Sequence, residues 1–74
     1  MRMIEVNYSY TKSYKNIASA QKAIEKIEEK LKESFVVVMA ARDDGRITPV
    51  IILSADQMIY AGALAHKNFP VVRT

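Results

Sequence analysis

Apolar residues follow two different periods along this chain. Near the start, Ile4, Val6, Tyr8 and Tyr10 alternate with Glu5, Asn7 and Ser9. A period of two lines one face of an extended chain, so 4–10 reads as a half-buried strand. Further on, Ile17, Ala20, Ile24, Ile27 and Leu31 recur at spacings of three and four. That is one stripe of an α-helix. Asn16, or Ser13 a turn earlier, is placed to accept the free amide hydrogens at the helix start. The far side carries Lys22, Glu25, Lys26, Glu29, Lys30, Lys32 and Glu33. The stripe lasts barely two heptads, so it is expected to pack on a sheet and not to form a coiled coil.

Residues 35–41 are a run of strand formers without alternation, so both faces want cover. Asp44-Gly45 separates that run from a second over 47–53. Asp-Gly between two such runs predicts a hairpin with a type I′ turn, which needs positive φ at both central residues. Pro49 cannot donate a ladder hydrogen bond, which places it at an edge, a strand start or a bulge. Ser54 followed three residues later by Gln57 is a capping-box pattern and opens a second helix over about 55–66. A helical wheel turns Ala55, Met58, Ile59, Gly62 and Ala65 inward. It leaves Tyr60 and Leu64 outward as a candidate contact surface. Gly62 costs about 1 kcal/mol against alanine inside a helix, so it is expected where another backbone comes close. Asn68 suits a left-handed cap and Pro70 stops the helix. A short closing strand, 70–73, follows.

The order is β-α-β-β-α-β. The expected fold class is α+β: one domain over 1–74, a two-layer sandwich with a small, mostly antiparallel sheet and two helices on one face. A ferredoxin-like fold or a variant of it fits this order. The ferredoxin-like arrangement makes the third strand central, which Pro49 disfavours unless it sits at a bulge or strand start. The alternative places the 35–41 strand centrally and the proline strand at the edge.

Composition narrows the chemistry. A 74-residue domain buries only about 60–65% of its unfolded surface, so the core is thin. With no cysteine, disulfides and thiolate metal sites are excluded, and one histidine excludes a histidine cluster within one chain. No cofactor is expected. Oligomerisation is the remaining way to cover apolar surface, and a homodimer is expected. No stretch approaches the ~20 apolar residues of a membrane helix, and no signal peptide is read, so no membrane partner and a cytoplasmic setting are expected. Net charge is +3, and Arg2, Lys12, Lys15 and Lys22 oppose only Glu5 in the first 22 residues. Such a stripe attracts an acidic partner or simply aids solubility.

No catalytic constellation is legible. His66 has no serine or carboxylate placed beside it by spacing, so the chain is not expected to be an enzyme. Asp43-Asp44-Gly45 lacks the further oxygen ligands of a calcium loop and reads as a turn. The glutamates of the first helix alternate with lysines and read as a solvated face. The most suggestive stretch is Tyr8 to Asn16, with three of the four tyrosines and two lysines. Aromatic rings beside cations can stack bases and hold phosphates. Equally, Tyr8 and Tyr10 fall on the inward phase of the first strand. Tyr14 lies beyond it, in a polar connection expected to be exposed.

The N-terminal strand leading into Thr11-Lys12-Ser13-Tyr14-Lys15-Asn16, the alanine-rich helix (Ala18, Ala20, Ala23), and Asp44-Gly45-Arg46 before Pro49-Val50-Ile51 together resemble small orphan proteins encoded by tailed bacteriophages. That resemblance implies a protein that binds and blocks a host protein. The expected function is therefore a non-enzymatic protein-binding module, with Lys12, Tyr14, Lys15, Tyr60 and Leu64 as partner-contact residues. The alternatives are a nucleic-acid-binding protein using the basic first third, and a small-molecule binder with its site between subunits.

Overall fold

A computed structural model describes residues 12–73. The strand expected over 4–10, with Tyr8 and Tyr10, lies outside the described residues. From there the chain runs α1 (Ile17–Leu31), β1 (Val36–Ala41), β2 (Ile47–Leu53), a 3₁₀ segment (Ala55–Tyr60), α2 (Ala61–His66) and β3 (Val71–Arg73).

Helix α1 begins where the sequence places its cap: the Asn16 side chain accepts from the Ser19 amide at 2.9 Å. It ends on Lys32, which is left-handed (φ 55°), and the Glu33 amide donates back to the Glu28 carbonyl at 3.1 Å. The Glu28 carboxylate then accepts from the Phe35 amide at 2.7 Å. Glu28 is thus not part of a solvated charge face: it ties the helix end to the chain entering β1.

The hairpin differs from the expected type I′ turn. Gly45 is at φ +82°, but Asp44 is not in the positive-φ region. The Arg42 carbonyl accepts from the Gly45 amide at 3.1 Å, and the Arg42 amide donates to the Arg46 carbonyl at 2.9 Å. A three-residue loop with a left-handed glycine at its end has this pattern, and it needs only one residue at positive φ. The Asp44 carboxylate accepts from the Arg46 amide at 3.0 Å and stiffens the loop.

The three strands form a mixed sheet in the order β1-β2-β3. β1 and β2 are antiparallel, from Val36 opposite Ile52 to Ala41 opposite Ile47. β2 and β3 are parallel, with Ile51, Ile52 and Leu53 opposite Val71, Val72 and Arg73. In a ferredoxin-like sheet the first strand would separate these two, and here β3 lies directly against β2. The proline strand is central among the described strands, contrary to the alternative that put it at the edge. Backbone groups of residues two apart in a strand point to the same edge. Ile47 bonds Tyr14 on that edge, and the Ile51 amide donates to the Pro70 carbonyl at 2.9 Å. The Pro49 nitrogen falls between them, where neither segment asks for a donor.

Ile51 and Leu53, on one face of β2, pack with Ile24 and Ile27 of α1, Leu64 of α2, and Phe69. Both helices therefore cover the same face of the sheet. Thr48 and Val50, on the other face, are also fully buried.

The second helical region departs most from its wheel. Leu64 is fully buried and Tyr60 packs against the core, whereas Ile59 is 81% exposed and Gly62 and Ala65 are exposed. The reason is the 3₁₀ segment. It turns three residues at a time, so Met58, Ala61 and Leu64 line up, and a wheel drawn at the α-helical period assigns the wrong side. At its start, Gln57 Oε1 accepts from the Ser54 amide at 3.4 Å and from the Ser54 hydroxyl at 3.2 Å. Gln57 Nε2 donates to the Ser34 carbonyl at 2.7 Å, which ties this segment to the chain before β1.

Candidate functional site

Lys12, Ser13 and Tyr14 form a short arm held at three points. The Lys12 amide donates to the Asn68 carbonyl at 3.1 Å. Arg46 donates through Nε to the Ser13 hydroxyl at 2.7 Å and through a terminal nitrogen to the Ser13 carbonyl at 3.0 Å. Tyr14 and Ile47 exchange backbone hydrogen bonds as an antiparallel bridge. The arm is thereby anchored to the hairpin, to β2 and to the connection after α2.

This anchoring makes one wall of a cleft of about 230 Å³. Helix α1 supplies the second wall: Ala23, Lys26, Ile27 and Lys30 are spaced by three, four and seven, so they share one face. The third wall is Lys67 and Phe69, turned apart by the left-handed Asn68 (φ 66°). Ala23, Ile27 and Phe69 give an apolar floor. Lys12, Lys26, Lys30 and Lys67 are exposed and stand around it. Among the described residues no carboxylate lines the cleft, and none of these four lysines has a carboxylate within pairing distance.

Tyr14 is half-buried against the core and is not the exposed loop residue expected from its position. Burial pushes its phenol above the ordinary tyrosine value, so at neutral pH it is an uncharged hydrogen-bond donor at the cleft.

The expected contact residues separate into three groups. Lys12 and Tyr14 line the cleft. Lys15 is exposed but does not line it. Tyr60 and Leu64 are not an outward pair. Leu64 lies in the core, and Tyr60 meets Phe35 edge-on, with ring centroids 5.6 Å apart and planes at 77°. Lys26, Lys30 and Lys67 were missed. Their signal was faint: two lysines bordering Ile27 on the apolar stripe, and one at the turn before Phe69. His66 is exposed in the last turn of α2. Among the described residues no three His, Asp or Glu side chains converge as a metal site, and no helix is long and apolar enough to cross a membrane.

No protein-family model matches the chain, and no curated protein or solved structure is significantly similar to it.

Proposed function

We propose that the protein is a non-enzymatic binding module that engages an acidic protein at the cleft beside Tyr14. One observation carries the reading: four lysines from three separate segments surround an apolar floor that no carboxylate of the described residues lines. Like charges held together in this way repel, and an anionic partner relieves that repulsion while its apolar part covers the floor. In its narrower form the partner is a host protein and the module an inhibitor of the phage type.

Nucleic acid is the second reading, favoured by the same lysines. A strand-tracking site adds a series of aromatic platforms to its cations, and among the described residues this cleft has only Tyr14 and Phe69. A small-molecule site between subunits is less well supported, because the cleft is formed within one chain.

Self-association remains part of the proposal, but its surface moves. With Tyr60 and Leu64 inside, the exposed large apolar residues among those described are Val36 (63%) and Val38 (41%) on β1, with Ile17 and Ile59. β1 carries no charged side chain to discourage pairing with a second copy.

The test is capture from a bacterial lysate on the immobilised protein, beside the Lys26→Glu/Lys30→Glu variant. Both side chains are exposed, so the fold is retained. The expected result is an acidic protein kept by the unmodified chain and lost by the variant, with an association rate that falls as salt rises. Retention of nucleic acid, with affinity falling log-linearly in salt, replaces this reading with the second.

A further inference from the structure

We infer, resting on the acidic-partner reading, that the cleft takes a peptide segment with one large apolar side chain flanked by carboxylates. The apolar side chain seats on Ala23, Ile27 and Phe69, and the carboxylates meet the lysines around it.

Size argues for a single side chain. The cleft holds about 230 Å³, below the ~300–1,000 Å³ of pockets that enclose whole drug-sized ligands. Its chemistry is divided in the same way, with an apolar centre and a cationic rim. An occupant must match both, and an apolar residue inside an acidic segment does so. In an extended segment, residues two positions either side of an anchor share its face. Acids there are carried to the rim as the anchor seats.

The identity of the cations argues against a single phosphate. Among the described residues every cation at the rim is a lysine and none is an arginine. Arginine presents a planar fork that grips one phosphate or carboxylate with two parallel hydrogen bonds. Lysines are separate point charges on flexible stems. Lys26 and Lys30 are one helical turn apart, about 6 Å along the axis. Lys12 and Lys67 come from other segments. Four point charges distributed in this way suit several carboxylates spread along a chain better than one concentrated dianion. The protonated Tyr14 phenol adds a donor for one of those carboxylates or for a peptide carbonyl.

The experiment is fluorescence anisotropy with a labelled peptide. It carries one phenylalanine, with a glutamate two positions to either side, in a glycine-serine background. Replacing the phenylalanine by alanine is expected to weaken binding about tenfold or more, since the floor is left uncovered. Replacing both glutamates by glutamine, or using Lys26→Gln/Lys30→Gln protein, is expected to cost a similar factor. Equal affinity of the phenylalanine and alanine peptides overturns the inference and leaves the acidic-partner reading intact. So does tighter binding of a phosphotyrosine peptide without other acids, which would make the cleft a phosphate site. Binding of the acidic peptides that ignores the lysine variant overturns both. In that case the lysate partner is also retained by the charge-reversed protein.

Discussion

Tyr14 and Ile47 exchange both of their backbone hydrogen bonds, at 2.7 and 2.9 Å, on the edge of β2 that β3 occupies further along. The bridge does two things. It fixes the arm that forms one wall of the cleft, and it leaves Pro49 between the arm and β3, where a missing amide costs nothing in the ladder. A proline inside a central strand is tolerated because its edge is shared by two short segments and not by one continuous strand.

The phase of the second helical region sets up a direct comparison. Leu64 is fully buried and Ile59 is 81% exposed. Leu64→Ala is expected to cost about 2–5 kcal/mol, the usual range for emptying a buried leucine site. Ile59→Ala should stay within about 0.5 kcal/mol. Leu64→Glu is expected to unfold the protein, since the carboxylate would have no partner in the core. Urea melts decide this. A mild Leu64→Ala beside a severe Ile59→Ala would put the helix back on the phase its α-helical wheel gives.

That comparison also shows where the sequence was readable. The stripe of α1 is a true α-helical period: Ala20, Ile24 and Ile27 are buried as the spacing requires, Leu31 is partly buried, and Ile17 at the first turn is 50% exposed. Asn16, Gly45 and Asn68 likewise sit at the cap, turn and left-handed positions that their side chains favour. The 3₁₀ segment broke the next step. It advances ~120° per residue against ~100° for an α-helix, so six residues accumulate about 120° of error. That is enough to turn Ile59 out and Leu64 in. The cleft was hidden for a different reason. Lys12, Lys26 and Lys67 are far apart in sequence, and only the arm's three anchors bring them together. On the helix alone, Lys26 and Lys30 are indistinguishable from a solvated face.

The two glycines should respond in opposite directions to alanine. Gly45 is at φ +82°, and a side chain there would meet nothing within 4 Å among the described residues, so the cost is conformational. Gly45→Ala is expected to destabilise by about 1 kcal/mol. Gly62 also has open space around it, in helical backbone, so no approaching chain among the described residues requires the glycine there. Gly62→Ala is expected to stabilise by up to about 1 kcal/mol through helix propensity and a less flexible unfolded chain. Thermal melts read both signs. A destabilising Gly62→Ala would reveal a contact that the open space around Gly62 denies.

Thr48 should be improvable. It is fully buried opposite Ala40, and its hydroxyl oxygen has no partner among the described residues. A buried hydroxyl without a partner costs about 1–3 kcal/mol. Valine keeps the β-branched shape that the strand favours and removes the polar atom. Thr48→Val is therefore expected to raise Tm by several degrees, since about 1 kcal/mol moves a domain of this size by ~4–8 °C. A lowered Tm would mean that the hydroxyl is satisfied after all.

Alkaline pH should act through Tyr14. Its phenol is held above the ordinary tyrosine value of about 10 because burial strips solvent from the charged phenolate. Below about pH 10 the phenol is protonated in both folded and unfolded chains, so its contribution is constant and fully present. Above that value the unfolded chain releases the proton first and binds fewer protons than the folded one. Stability then falls with rising pH until the folded phenol ionises too. Tyr14→Phe lacks the titrating group and keeps the ring, and the bridge to Ile47 is made by backbone atoms that the substitution leaves in place. The variant is expected to fold at neutral pH and to lose less stability than the unmodified chain above about pH 10. Every other titratable group is common to both proteins. The difference between the two curves of urea stability against pH therefore isolates Tyr14. Parallel curves through that window would show that the Tyr14 phenol is as well solvated in the folded chain as in the unfolded one, and the arm would then not be packed on the core.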